Sequence, residues 1–111
     1  MQTTSTQYKH CDLIKIQGRV DSATAPQLTQ AINSSLDVGH YKLVLDFSSV
    51  EFISSAGLRV LINAQKECHH YNRGEVVLAC VPPNIFSALD IAGFTSLFKI
   101  FDDILTAVGS F

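Results

Sequence analysis

Two stretches of the chain, "YKLVLDF" and "EVVLACV", are nearly continuous apolar runs, the pattern of strands buried on both faces. "DLIKIQG" alternates instead, with Ile14 and Ile16 on one face, and reads as a half-buried strand. "QYKHC" just before it reads as an edge strand, and "LFKIF" as a short last strand. Gly18 is expected to end the pairing of the alternating strand, with "RVDSATAPQL" following as a loop. Pro26 suits a first helical turn, with Thr24 or Ala25 near the cap. Leu28, Ala31, Ile32 and Leu36 then recur at helical spacing until "DVGH" stops the helix. "SSVEF" reads as a connector, and Ser54–Ser55 opens a second helix predicted to reach about Tyr71, where "NRG" turns the chain. Pro82–Pro83 ends the strand before it and starts a short helix, "NIFSALDIA", closed by Gly93 in a left-handed cap. "DDILTAVGSF" opens on two aspartates, which suit the positive end of a helix dipole. Strands alternating with helices predict an α/β fold: a mixed sheet of four to five strands and about four helices covering at least one face.

Composition narrows this picture. With 47% hydrophobic and 16% charged residues over 111 positions, the chain is expected to form one compact domain, residues 1–111. No apolar run approaches the roughly 20 residues that span a bilayer, and "MQTTSTQYKH" lacks the charged start and apolar stretch of a secretory signal. The expected location is the cytoplasm, without membrane insertion. A net charge of −2 with scattered cations argues against direct nucleic-acid binding. Cys11, Cys68 and Cys80 are odd in number and far apart, which predicts free thiols rather than disulfides. In "ECHHYN", Cys68, His69 and His70 are adjacent, but neighbouring helical side chains diverge by about 100° and cannot converge on one metal ion.

The pair Ser54–Ser55 invites closer reading. With about 100° per residue from Ser55, Gly57, Leu61, Ala64 and Cys68 fall on the far side, toward the sheet. Arg59, Asn63 and Lys66 fall near Ser55, and Leu58, Ile62 and His69 lie on its other flank. Ser55 thus begins an outward ridge of mixed cationic and apolar character. Either serine could serve simply as an N-cap, and Gly57 could serve close packing against the sheet. Enzymatic readings fail: "FISSAG" is no G-x-S-x-G elbow, spacing assigns the histidines no role as a base, and no phosphate-binding glycine loop occurs. No cofactor is expected. A phosphate on Ser55, by contrast, would sit at a helix N-terminus and add about −1.5 to −2 charges beside Leu58 and Ile62.

Three ordered segments carry a family resemblance. "IQGRVDSATAPQL", "LVLDFSSVEFISSAGLRVL" and "LDIAGFTSLFKIFDD" together resemble the STAS domain of bacterial anti-sigma-factor antagonists, over most of the chain. The resemblance implies a sheet with helices packed mainly on one face. It also implies a non-enzymatic switch. The unphosphorylated antagonist would bind an anti-sigma factor that is also a serine kinase, and a metal-dependent serine phosphatase would restore it after phosphorylation. Counting back from Gly57, the implied phosphoacceptor is Ser55. Family members often carry an acid directly before this residue; this chain has Ser54 there, the alternative acceptor. Asp21 matches a loop acid near the acceptor. The implied partner face comprises Asp21, Ser22, Thr24, Ser54, Ser55, Gly57, Leu58, Arg59 and Ile62. The competing reading is a docking module of a transport or sensory complex without a phospho-switch.

Overall fold

The computed structural model describes residues 1–70 and 73–111. In chain order the elements are β1 (Gln2–Gln7), β2 (Asp12–Val20), α1 (Ala25–Leu36), β3 (Lys42–Ile53) and α2 (Ser55–His69). Then come β4 (Glu75–Ala79), α3 (Pro83–Ile91), a 3-10 turn (Thr95–Leu97), β5 (Lys99–Phe101) and α4 (Ile104–Gly109). The strands form one mixed sheet whose spatial order is their sequence order, β1 antiparallel to β2 and the rest parallel. Each parallel crossover therefore carries one helix to the neighbouring strand, as βαβ connections do.

One core joins Leu28 and Ile32 of α1, Leu61 and Cys68 of α2, and Ile85 and Leu89 of α3 to Ile14, Leu45, Phe47 and Leu78 of the sheet. A smaller cluster on the other face joins Ala107 of α4 to Val44, Val77 and Ala79. The α/β class, the mixed sheet and helices mainly on one face are as the sequence predicts. So are the starts of α1 at Thr24 and of α3 at Pro82–Pro83, and the left-handed Gly93, with φ +77°.

Four local expectations are corrected. The edge strand is the polar "QTTSTQ", while Tyr8–Cys11 forms the hairpin turn, closed by Tyr8 N–H donating to Cys11 C=O at 2.8 Å. Gly18 does not end β2. At φ +99° it takes up a β-bulge, where the register against β3 shifts, and pairing continues to Val20↔Ile53. "SSVEF" is not a connector but the second half of β3. Beyond Asp46, the last residue paired with β4, β3 keeps β2 alone as its strand partner, so the two form a two-stranded arm extending past the sheet. "LFKIF" contributes only Lys99–Phe101 to a strand, Leu97 belonging to the 3-10 turn. The α-helical part of α2 closes at His69; the predicted end at Tyr71 and the first residue of the "NRG" turn lie outside the described residues.

Candidate functional site

The arm of β2 and β3 ends where α2 begins, and this junction positions the two serines. Ser54 N–H donates to Val20 C=O at 2.8 Å, the last rung between the strands. Ser54 then leaves the extended conformation as the N-cap of α2: its Oγ accepts from Gly57 N–H at 3.3 Å and its C=O accepts the first helical bond from Leu58. Ser55 is the first helical residue and is exposed, and no hydrogen bond of its hydroxyl is found among the described residues. The two neighbours therefore divide the tasks: Ser54 is spent on the cap, and Ser55 presents a free hydroxyl to solvent.

Gly57 explains how the helix start sits so close to the arm. A Cβ there would lie 2.7 Å from Ile53 Cγ1 and 2.7 Å from Val20 Cγ1, so only glycine fits without displacement. Because Val20 pairs with Ile53, the next residue of the β2 chain, Asp21, leaves the sheet level with Ser54. The Asp21 carboxylate is held in a turn, with Oδ1 accepting from Ala23 N–H at 3.0 Å and Thr24 N–H at 3.1 Å. Asp21 N–H in return donates to Thr24 Oγ1 at 2.9 Å, and the Thr24 hydroxyl donates to Arg19 C=O at 3.0 Å. The Thr24 backbone N–H is the main cause holding the Asp21 carboxyl below the usual carboxylate range, helped by the Ala23 N–H, the Thr24 hydroxyl and the charge of Arg19.

The structure brings Asp21, Ser22, Thr24, Ser54, Ser55 and Gly57 to one end of the sheet, with Arg59 one turn up α2 and exposed. Ser22 is exposed in the loop, while the hydroxyl of Thr24 is turned into the turn's own hydrogen bonds. Leu58 is a correction: it is buried at 8% exposure within the main core. Helix α2 packs against α1 as well as the sheet, so its buried arc is wider than a single-sided helix requires. Ile62 is half-buried and packs on that core from outside.

Beside the serines lies an arginine–aromatic pair that the sequence pattern does not announce. Arg19 and Phe52 are paired across β2 and β3, and the guanidinium lies 4.4 Å from the centre of the Phe52 ring. Phe52 remains 38% exposed three residues before Ser55. The signal was the continuing β-rich run "VEFI", masked by its reading as a connector. Among the described residues no group of three His, Cys, Asp or Glu side chains could hold a metal ion, and no helix is long and apolar enough to cross a membrane. The three cysteines are free.

Comparison with known proteins gives three kinds of likeness. The family model of the STAS domain matches residues 2–107. BtrV of Bordetella bronchiseptica, named as an anti-sigma factor antagonist, is 35% identical over 96 residues, which cover 86% of this chain and 82% of BtrV. Among solved structures, a Thermotoga maritima protein named as an anti-sigma factor antagonist superposes with TM-score 0.90 at 20% identity, covering 97% of this chain and 92% of that one. The Bacillus cell-fate determinant SpoIIAA in its phosphorylated form superposes with TM-score 0.76 at 14% identity, covering 98% of each chain. Both structural likenesses are likenesses of fold.

Proposed function

The chain belongs to the STAS domain family, and on that premise we propose that it is an anti-sigma-factor antagonist switched at Ser55. In the unphosphorylated state it binds an anti-sigma factor that is also a serine kinase, so that the sigma factor is released. Phosphorylation ends the binding, and a metal-dependent serine phosphatase resets it, all in the cytoplasm. The chain itself is a binding protein, not an enzyme.

The observation that carries this reading is the division between the serines. Ser54 supplies the cap, so Ser55 can be modified without removing the hydrogen bond that starts α2. In the transfer, Ser55 Oγ attacks the γ-phosphorus of the kinase's ATP. The Oγ–P bond forms, the bond from that phosphorus to the ADP oxygen breaks, and the hydroxyl proton passes to a base on the kinase. A second support is the likeness to BtrV, which covers most of both chains. The fold is compatible with a phosphorylated state, since SpoIIAA keeps it in that form.

Charge decides the outcome. A phosphate of about −1.5 to −2 on an exposed rim leaves the fold intact, but its desolvation under a docked partner is costly. Ser55→Asp is therefore expected to fold normally and lose the anti-sigma factor, while Ser55→Ala binds it constitutively. Mass spectrometry of the protein from its native cells, with and without phosphatase, tests the modification directly. A removable phosphate on Ser55 is expected. Its absence across growth conditions, or tight binding by Ser55→Asp, would leave the docking-module reading in its place.

A further inference from the structure

Arg59 stands one helical turn after Ser55 on the exposed side of α2, where residues four apart bring their Cβ atoms within about 5–6 Å. Helix arginines on a surface often pair with a carboxylate three or four positions away. Around Arg59 those positions hold Ser55 and Ala56 on one side and Ile62 and Asn63 on the other, none of them acidic. The first turn of α2 carries no acidic residue, and its one acid, Glu67, lies two turns beyond Arg59. The ion pairs found among the described residues, His40–Asp12 and Lys99–Glu75, do not involve it. Arg19, the other arginine at this end of the molecule, is stacked on Phe52 and directs its charge at Asp21. The position from which a helix acid would best serve Arg59 is thus occupied by the residue that acquires a negative charge when modified.

We propose that Arg59 is the internal receptor of the Ser55 phosphate: free for the partner in the unphosphorylated protein, and drawn onto the phosphate when Ser55 is modified. This rests on the reading of Ser55 as the phosphoacceptor. The guanidinium fork matches phosphate oxygens in a bidentate pair, and an acid N-terminal to a base at this spacing has the favourable orientation on a helix. Modification then acts twice on the docking face. It adds a dianion, and it withdraws the nearest cation from whatever acidic groups the partner presents. A carboxylate at position 55 is shorter and carries a single charge, so Ser55→Asp reproduces the first effect and only part of the second.

The test requires no kinase. Phosphoserine is built into position 55 of the full chain during translation, and the phosphorus resonance is followed against pH. The helix terminus contributes equally in every variant, so differences between variants isolate Arg59. The second ionisation, about pH 6 for ordinary phosphoserine, is expected about 0.2–0.4 pH unit lower with Arg59 than in Arg59→Ala, the range of an exposed helix ion pair. Arg59→Lys should restore part of the difference, Lys66→Ala should leave it unchanged, and high salt should shrink it. Because Arg59 is exposed, the variants keep the fold. Equal titration with and without Arg59 overturns the proposal while leaving Ser55 as a possible acceptor. Absence of phosphate from native Ser55 would overturn the switch itself, and that result appears in the mass spectrum rather than in the titration.

Discussion

Ser54, Ser55 and Gly57 divide three tasks at the start of α2: a cap, an exposed hydroxyl and a close approach to the arm. Ser54 satisfies the Gly57 N–H, so Ser54→Ala should cost about 0.5–2 kcal/mol. Ser55→Ala should cost much less, since its hydroxyl makes no hydrogen bond among the described residues. Gly57 is the more severe case. Alanine improves helix propensity by up to about 1 kcal/mol, but its methyl would stand 2.7 Å from two side-chain carbons of the arm. Overpacking of that kind typically costs about 1–3 kcal/mol, which exceeds or cancels the gain. Gly57→Ala is therefore expected to lower the urea midpoint and weaken partner binding, because relief of the clash moves the first turn that carries Ser55. A variant as stable as the parent and equally tight in binding would show that the approach is not needed.

At the scale of elements, α2 is fixed at its far end by a residue the sequence reading leaves unremarked. Gln65 is buried, and its Nε2 donates to Val76 C=O at 3.0 Å and Leu97 C=O at 2.8 Å, while its Oε1 accepts from Val76 N–H at 2.7 Å. Strand β5 begins only opposite Val77, so the amide supplies at Val76 the partners that a longer strand would give. Gln65→Leu keeps the volume and leaves these backbone groups unpaired at about 1–3 kcal/mol each. Urea unfolding should register a loss of at least about 2 kcal/mol, with early amide exchange in β4. Burial by helical phase was readable for Leu61, Ala64 and Cys68, which point straight at the sheet. It failed for Leu58, because α2 packs against a second helix, and it says nothing of Gln65, whose amide bonds to β4 and to the 3-10 turn at Leu97. Likewise the apolar runs exposed the core of β3 and β4, whereas β1, exposed along most of its length, is paired to β2 through its backbone without an apolar pattern to announce it. The extension of β3 hid behind two serines and a glutamate, and with it the Arg19–Phe52 pair. Ser55, Gly57 and Asp21 enter the candidate site through the family resemblance and Arg59 through its helical phase, and the structure places all four at one end of the sheet.

Over the whole molecule, strands β2 to β5 are parallel and each leads into a helix, so the described α-helices all begin at the same end of the sheet as Ser55. That end concentrates helix N–H groups, and two carboxylates answer them. Asp21 accepts from the N–H groups before α1, and Asp103 caps α4 through Thr106 N–H at 2.7 Å. Both carboxyls are held below their usual range, each mainly by a backbone N–H, that of Thr24 for Asp21 and that of Thr106 for Asp103. A folded-state value below the unfolded one means that the folded protein releases these protons more readily. The stabilisation is therefore fully present above the unfolded carboxylate value of about 4 and is lost as pH falls through the lower folded values. Urea midpoints should be nearly flat from about pH 7 to 5 as far as these two groups are concerned, and fall below about pH 4. Asp21→Asn with Asp103→Asn keeps side-chain acceptors in place but removes the titration. The double variant should start less stable at pH 7, because charge-assisted bonds are the stronger ones, and should lose less on acidification. Parallel acid profiles for the two proteins would mean that the acid response arises elsewhere than at the end that carries Ser55.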